Sequence, residues 1–121
     1  MSKNLNLDIM NQGAKYLIGQ HDCSSFSKSH QDNPVCYIKN SNWIERKNLL
    51  VFSIEADRFL YNMVRCIVGT LINLGLDRIN LNQFIEIINS HDRTKAGVSV
   101  PSEGLYLINI KYPKSYKLEI S

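Results

Sequence analysis

The sequence lacks the features that mark membrane proteins, disulfide-rich scaffolds and zinc-binding domains. No apolar run among its 121 residues approaches the roughly 18 needed for a membrane-spanning helix. Its three cysteines are an odd number without a C-x-x-C spacing, which favours reduced thiols over a disulfide framework or a zinc site. The first ten residues contain no apolar segment typical of a signal peptide. We therefore expect a soluble, cytoplasmic protein.

The sequence also has little excess charge and few histidines. The formal net charge is +3 and the pI is about 8.8, whereas strongly basic nucleic-acid-binding domains usually exceed a pI of about 9. This charge permits contact with an anion such as RNA without requiring it. The three histidines are scattered, without the i, i+4 spacing of a helical metal site, so no metal is predicted. The 44% of hydrophobic residues is enough for a packed core.

Hydrophobic periodicity predicts an α+β domain, in which helices pack on a small antiparallel or mixed β-sheet of three strands. We expect one domain over residues 1–113 and a frayed tail over 114–121. Because such a sheet has exposed edges, it could pair with a second half-sheet. The predicted elements are a helix from Asp8 to Leu17, a loop from Gly19 to Pro34, strands Val35–Ile44 and Leu49–Ala56, helices over 60–74 and from Leu81, and a strand Leu105–Tyr112.

Local patterns refine three of these elements. The charged segment 45–48 predicts a turn between two antiparallel strands, and alternation places Leu50, Phe52, Ile54 and Ala56 on one face of the second strand. Asn80 is predicted to cap the helix that starts at Leu81, with Gln83 completing a capping box. That helix is expected to bury Phe84, Ile85, Ile87 and Ile88.

Two arginines accompany the strongest predicted helix. Arg65 lies within it and projects about 120° from the centre of its apolar stripe. Arg58 falls on nearly the same side if the helix reaches back that far. Two guanidiniums on one flank could hold a phosphate or a carboxylate. From spacing alone, a solvated helix face is the alternative.

Four blocks of sequence occur in the order and spacing of one enzyme family. They are HDCSSF at 21–26, FLYNMVRCIVG at 59–69, HDRTKAG at 91–97, and PSEGLYL at 101–107 with Tyr112-Pro113 after it. Together they resemble the TruA family of tRNA pseudouridine synthases, over about residues 8–113. Cys23 stands where the family usually has an aromatic residue.

The resemblance implies half of a pseudouridine synthase fold and a role in isomerising uridine to pseudouridine at positions 38–40 of the tRNA anticodon arm. Family members use one aspartate, in an R-[TA]-D-x-G motif, as a covalent catalyst, with no metal and no organic cofactor. No such motif occurs in this sequence. We therefore expect a C-terminal half that is inactive alone, completed by a missing N-terminal half and forming a homodimer in the full-length protein.

The resemblance also assigns residues to the expected site. Arg65 matches the family arginine that pairs with the catalytic aspartate, where a cation keeps the carboxylate ionised. Leu105 would lie near the target base and Phe59 and Met63 would shape the floor. Arg58, Ser24, Ser25 and Lys28 are candidate RNA contacts.

Purely structural roles are the alternatives to these functional assignments. Asp22 is expected to stabilise a turn rather than to catalyse, and Asp92 with Arg93 could form a structural ion pair. For the whole chain, the alternatives are a stand-alone, non-catalytic RNA-binding module and a purely structural dimerisation domain.

Overall fold

The computed structural model describes residues 5–27, 33–46, 50–60, 63–90 and 92, together with the backbone of 49 and 106–111. Within these residues the chain forms three α-helices, one 3₁₀ turn and four strands. The elements are α1 (Leu7–Tyr16), β1 (Gly19–Asp22), a 3₁₀ turn (Ser24–Phe26), β2 (Val35–Arg46), β3 (Leu49–Ala56), α2 (Met63–Gly75), α3 (Leu81–Ser90) and β4 (Tyr106–Lys111). The predicted α+β class is confirmed.

The strands form a mixed sheet in the order β1-β2-β3-β4. The pairs β1–β2 and β2–β3 are antiparallel, as predicted for the second pair. The pair β3–β4 is parallel, because α2 and α3 carry the chain back before β4 begins. The described sheet therefore has four strands rather than the three predicted.

The extra strand corrects the prediction that 19–34 is a loop. Residues Gly19–Asp22 pair with Val35–Ile38 at the edge of the sheet. Gly19 has a φ of +122°, a conformation that glycine adopts without a steric penalty, and it turns the chain from α1 into β1. This four-residue strand has no apolar alternation to reveal it, since it is defined by its partner strand.

One face of the sheet forms the core with the helices. The alternation predicted for β3 is confirmed, because Leu50, Phe52, Ile54 and Ala56 are all buried. Helix α1 contributes Met10, Ala14 and Leu17, and it approaches α2 so closely that a Cβ on Gly13 would lie 2.7 Å from Leu74 Cδ2. The opposite face is open, with Tyr37 and Ile44 exposed and a shallow depression lined by Asn40, Asn42, Ser53, Ile54 and Glu55.

The ends of the two later helices differ in how well they were predicted. The capping box is confirmed: Gln83 N–H donates to Asn80 Oδ1 and Asn80 N–H donates to Gln83 Oε1, both at 2.8 Å. Phe84, Ile87 and Ile88 are buried and Ile85 is half-buried. Helix α2 begins at Met63, whereas residues 57–60 are not helical. No described helix combines the length and the hydrophobicity that a membrane crossing requires.

Candidate functional site

Arg65 is an exposed residue in a helix that is otherwise largely enclosed. Among residues 63–71 of α2 it alone is exposed, and its sequence neighbours Val64 and Cys66 are buried. The packed helix fixes the backbone at this position. The Cα and Cβ atoms of Arg65 are therefore held rigidly at the surface of the domain. Arg65 is therefore a cation presented outward from a stiff support.

The apolar residues expected near Arg65 lie at different depths. Met63 is fully buried, and its Sδ accepts a hydrogen bond from Leu60 N–H at 3.4 Å. Phe59 is half-buried and packs against the edge of the core. Met63 can therefore contribute to a site only from within the core, whereas Phe59 retains part of its surface. Leu105 and Lys28 lie outside the described residues.

Arg58 does not share a helix flank with Arg65, because the chain is not helical at 57–60. Its guanidinium instead donates hydrogen bonds to the carbonyl oxygen of Val35, at 2.9 Å, and to that of Asn33. The neighbouring Asp57 accepts from Tyr37 N–H at 2.9 Å, and its own N–H donates to Tyr37 O at 3.0 Å. Together, Asp57 and Arg58 fasten the start of β2 to the segment that leads into α2. Local sequence patterns do not predict these contacts, because the partners are separated by 20 to 25 residues.

The HDCSSF block forms the turn that follows β1. Asp22 Oδ1 accepts hydrogen bonds from Ser24 N–H at 2.9 Å and from Ser24 Oγ at 2.6 Å. The prediction that Asp22 stabilises a turn is confirmed. Ser24 is half-buried.

Ser25, a predicted RNA contact, is fully buried. Its hydroxyl donates to the carbonyl oxygen of Ile87 at 2.6 Å and accepts from Asp92 N–H at 3.1 Å. A side chain without accessible surface offers nothing to RNA directly, so any role of Ser25 must act through the residues that it holds. The expected ion pair of Asp92 with Arg93 lies outside the described residues.

Two buried thiols lie beside this turn. A hydrogen bond from Cys23 to Cys36 raises the pKa of Cys23, as burial does, and lowers the pKa of Cys36. The positive charge of Arg58 opposes the rise in the pKa of Cys23 and contributes to the fall in the pKa of Cys36. Cys36 also lies 3.9 Å from Met63 Sδ. These contacts make the pair part of the core. Within the described part of the chain, no cluster of three or more His, Cys, Asp or Glu side chains could hold a metal ion.

Comparison with known proteins places this geometry in one family. A family model described as tRNA pseudouridine synthase matches residues 14–113. The tRNA pseudouridine synthase A of Parabacteroides distasonis is 43% identical over 112 residues, which cover 91% of this chain and 44% of the relative. The corresponding protein of Bacteroides thetaiotaomicron is 41% identical over 115 residues, covering 91% and 43%. That of a Thermoanaerobacter species is 44% identical over 110 residues, covering 89% and 45%. This chain thus spans less than half the length of the curated relatives it matches.

Proposed function

We propose, from the fact that this chain belongs to the tRNA pseudouridine synthase family, that it is the C-terminal half of an enzyme that isomerises uridine to pseudouridine in tRNA. The target region is the anticodon arm, at positions 38–40. The half-length coverage of the relatives supports a protein with a second, N-terminal half. This chain alone is inactive, because its sequence has no R-[TA]-D-x-G motif to supply the catalytic aspartate.

The observation that carries the proposal is the position of Arg65. A guanidinium held at the surface by a packed helix can meet a carboxylate that belongs to another part of the protein. Beside that cation the carboxylate stays ionised, and a two-pronged hydrogen bond fixes its orientation for attack on the nucleoside. Arg65 thus orients the carboxylate nucleophile and keeps it ionised.

Two aspartates of the described structure, Asp22 and Asp57, already have structural roles, which supports a nucleophile from elsewhere. Asp22 is engaged by the turn at Ser24, and Asp57 accepts from the backbone of Tyr37. Both carboxylates have structural hydrogen bonds, and neither lies in the family's catalytic motif. The chemistry needs no metal and no organic cofactor.

The other proposed partners follow from the same assignment. The substrate is tRNA, the enzyme is a cytoplasmic homodimer, and the second half pairs with this domain. Phe59 and Leu105 border the target base, and Lys28 with Ser24 lies along the RNA backbone. The rival function is a stand-alone module that binds structured RNA without chemistry. It is favoured by a sequence that lacks the catalytic motif and still forms a hydrophobic core among its described residues.

A turnover assay with an anticodon stem-loop separates these functions. We expect the full-length protein to form pseudouridine and the 121-residue chain alone to form none. In the full-length protein, Arg65→Ala should lower kcat about 10- to 100-fold, because a charge-assisted hydrogen bond contributes roughly 1.5–3 kcal/mol and about 1.4 kcal/mol corresponds to a tenfold change in rate. Arg65→Lys should recover only part of this loss, since an ammonium cannot bind a carboxylate with two parallel hydrogen bonds.

Arg78→Ala is the matched control. Arg78 is also exposed, follows α2, and contacts Asn73 Oδ1 at 3.3 Å. Its removal subtracts the same charge and should leave kcat within about twofold, as is usual for surface substitutions outside a site. Normal turnover by Arg65→Ala would refute the role assigned to Arg65. Pseudouridine formation by the isolated chain would refute its dependence on a second half. RNA binding by a full-length protein that performs no isomerisation would favour the module.

A further inference from the structure

Two family motif blocks that are far apart in sequence meet at one hydroxyl group. Ser25, in the HDCSSF block, and Asp92, in the HDRTKAG block, are separated by 67 residues. Asp92 N–H donates to Ser25 Oγ at 3.1 Å, and Ser25 Oγ donates to Ile87 O at 2.6 Å. The Ser25 hydroxyl therefore accepts from one segment and donates to another, at a position with 0% exposure.

The hydroxyl also completes the C-terminal end of α3. The last carbonyl groups of a helix have no partner within the helix, and a buried carbonyl without a partner is costly. Ile87 O accepts from Ser25 and, at 2.8 Å, from Ser90 Oγ. Ser90 Oγ in turn accepts from Asp92 N–H at 3.2 Å. Ser25 and Ser90 thus bind the same two backbone groups, Ile87 O and Asp92 N–H. Ser25 is buried and Ser90 is exposed.

The turn that contains Ser25 is placed against the helix that carries Arg65. The 3₁₀ turn Ser24–Phe26 packs on both α2 and α3, and Phe26 is buried at this contact. A change at Ser25 would therefore alter how the HDCSSF block and the chain at Asp92 lie relative to α2. It would not alter the core of α2 itself, whose buried residues are supplied mainly by the apolar side chains of the helices and sheet.

We infer that Ser25 is a positioning residue, whose buried hydroxyl joins the HDCSSF turn to the chain at Asp92 and so sets the relative position of two segments that contact RNA. The inference rests on the proposed function. Ser25 touches neither the substrate nor the reacting atoms in this role. Its effect therefore falls on the binding of RNA, and the effect of Arg65 falls on the chemical step.

The role requires a group that donates and accepts at the same point. Alanine fits the space but leaves Ile87 O without its closest partner and Asp92 N–H with Ser90 alone. Threonine keeps the hydroxyl and adds one methyl group. The pair Ser25→Ala and Ser25→Thr therefore separates the hydrogen bonds from the simple presence of a small residue.

The test measures KM and kcat for an anticodon stem-loop with the full-length enzyme. We expect Ser25→Ala to raise KM about fivefold to tenfold, with kcat within about twofold, and Ser25→Thr to bring KM back toward the wild-type value. Thr70→Val is the matched control, because Thr70 is also fully buried and its hydroxyl donates to Cys66 O at 2.8 Å within the same helix. It should leave both constants unchanged.

Three outcomes would overturn the inference. The first is a folded Ser25→Ala enzyme with wild-type KM, and the second is an equal rise of KM in Thr70→Val, which would indicate general destabilisation. If Ser25→Ala does not fold, Ser90→Ala decides, since Ser90 is exposed and holds the same two groups. It should raise KM about twofold, and an unchanged KM is the third contrary outcome.

A second measurement keeps this inference separate from the proposed function. Amide hydrogen exchange in the 121-residue chain needs no catalysis. The Asp92 N–H should be protected in the wild type and exchange at least tenfold faster in Ser25→Ala, with no such change in Thr70→Val. One outcome is that the full-length protein forms no pseudouridine in any RNA while this difference in exchange is still observed. The proposed function would then be refuted, and the link that the Ser25 hydroxyl makes with Asp92 N–H would be supported. Equal exchange of the Asp92 N–H in the wild type, Ser25→Ala and Thr70→Val would refute the link between Ser25 and Asp92.

Discussion

Replacing Asn11 should destabilise the domain more than any other single change on the surface of α1. The Asn11 side chain lies half-buried against β2, where Oδ1 accepts from Trp43 N–H at 2.7 Å and Nδ2 donates to Trp43 O at 3.0 Å. Strand β1 pairs with β2 only as far as Ile38, so the outer edge of β2 continues past its neighbour. Asn11 takes the place of a neighbouring strand at Trp43, because its amide presents one acceptor and one donor as a peptide group does.

The size of the effect follows from these two hydrogen bonds. Each contributes about 0.5–1.5 kcal/mol net, so Asn11→Ala forfeits roughly 1–3 kcal/mol. The better helix propensity of alanine returns roughly 0.5 kcal/mol. The net loss is therefore about 0.5–2.5 kcal/mol, compared with the roughly 5–15 kcal/mol that stabilises a typical domain. Asn11→Asp keeps the acceptor but turns a carboxylate oxygen toward Trp43 O, so it should lose at least as much at neutral pH.

Urea unfolding measures this directly, because Trp43 is the only tryptophan and is 2% exposed. Its fluorescence, checked against far-UV circular dichroism, reports the loss of packing against Phe52, whose ring centroid lies 5.0 Å away. With a typical m-value of about 2 kcal/mol per molar urea, the midpoint should fall by about 0.25–1.25 M. Gln12→Ala, at an exposed position on the same helix, is the control and should move it by less than about 0.25 M. Equal midpoints for Asn11→Ala and Gln12→Ala would show that the bridge to Trp43 does not stabilise the fold.

Three further predictions concern the start of α3 and the thiols. Asn80→Ala removes the acceptor for Gln83 N–H, so it should cost about 1 kcal/mol and lower the Tm by a few degrees in calorimetry, and an unchanged Tm would deny the cap its role. All three cysteines are buried, so a bulky disulfide reagent should label none quickly in the folded protein and three in denaturant; fast labelling of any one would contradict the described core. Because the pKa of Cys23 is raised by its hydrogen bond to Cys36 and by burial, the folded state keeps a proton that the unfolded chain loses above its ordinary pKa of 9.0. Stability should therefore fall as the pH rises past that value, and Cys23→Ala should weaken that dependence in urea titrations at several pH values.

The features that sequence predicted correctly depend on neighbours along the chain. The capping box at Asn80 and Gln83 links residues three positions apart, and the alternation in β3 reflects the two faces of a strand. The turn at Asp22 joins positions two residues apart. In each case the residue types and their spacing contain the whole interaction. A single sequence is sufficient to predict such features.

The features that sequence missed depend on partners far along the chain. Strand β1 exists because β2 lies beside it, and Asn11 meets Trp43 across 32 residues. The apolar stripe that begins at Leu60 permits a helix reaching back to Arg58, but the Arg58 guanidinium binds the carbonyl of Val35 and residues 57–60 are not helical. Polar side chains with several possible hydrogen-bond partners have no periodicity, so spacing cannot choose among those partners.

The neighbours of Arg65 on α2 argue against the alternative that Arg65 belongs to a solvated helix face. A solvated helix face repeats polar residues at i+3, i+4 and i+7, and for Arg65 these positions are Val68, Gly69 and Ile72. Val68 and Gly69 are buried and Ile72 is half-buried, so Arg65 is not part of a polar stripe that continues toward the C-terminal end of α2. Near low-dielectric protein, the attraction between a guanidinium and a carboxylate is stronger than in bulk water. An arginine in such surroundings is suited to hold an ionised carboxylate brought by a second half of the protein. The residue type and the apolar positions that follow it on α2 together favour the role proposed for Arg65.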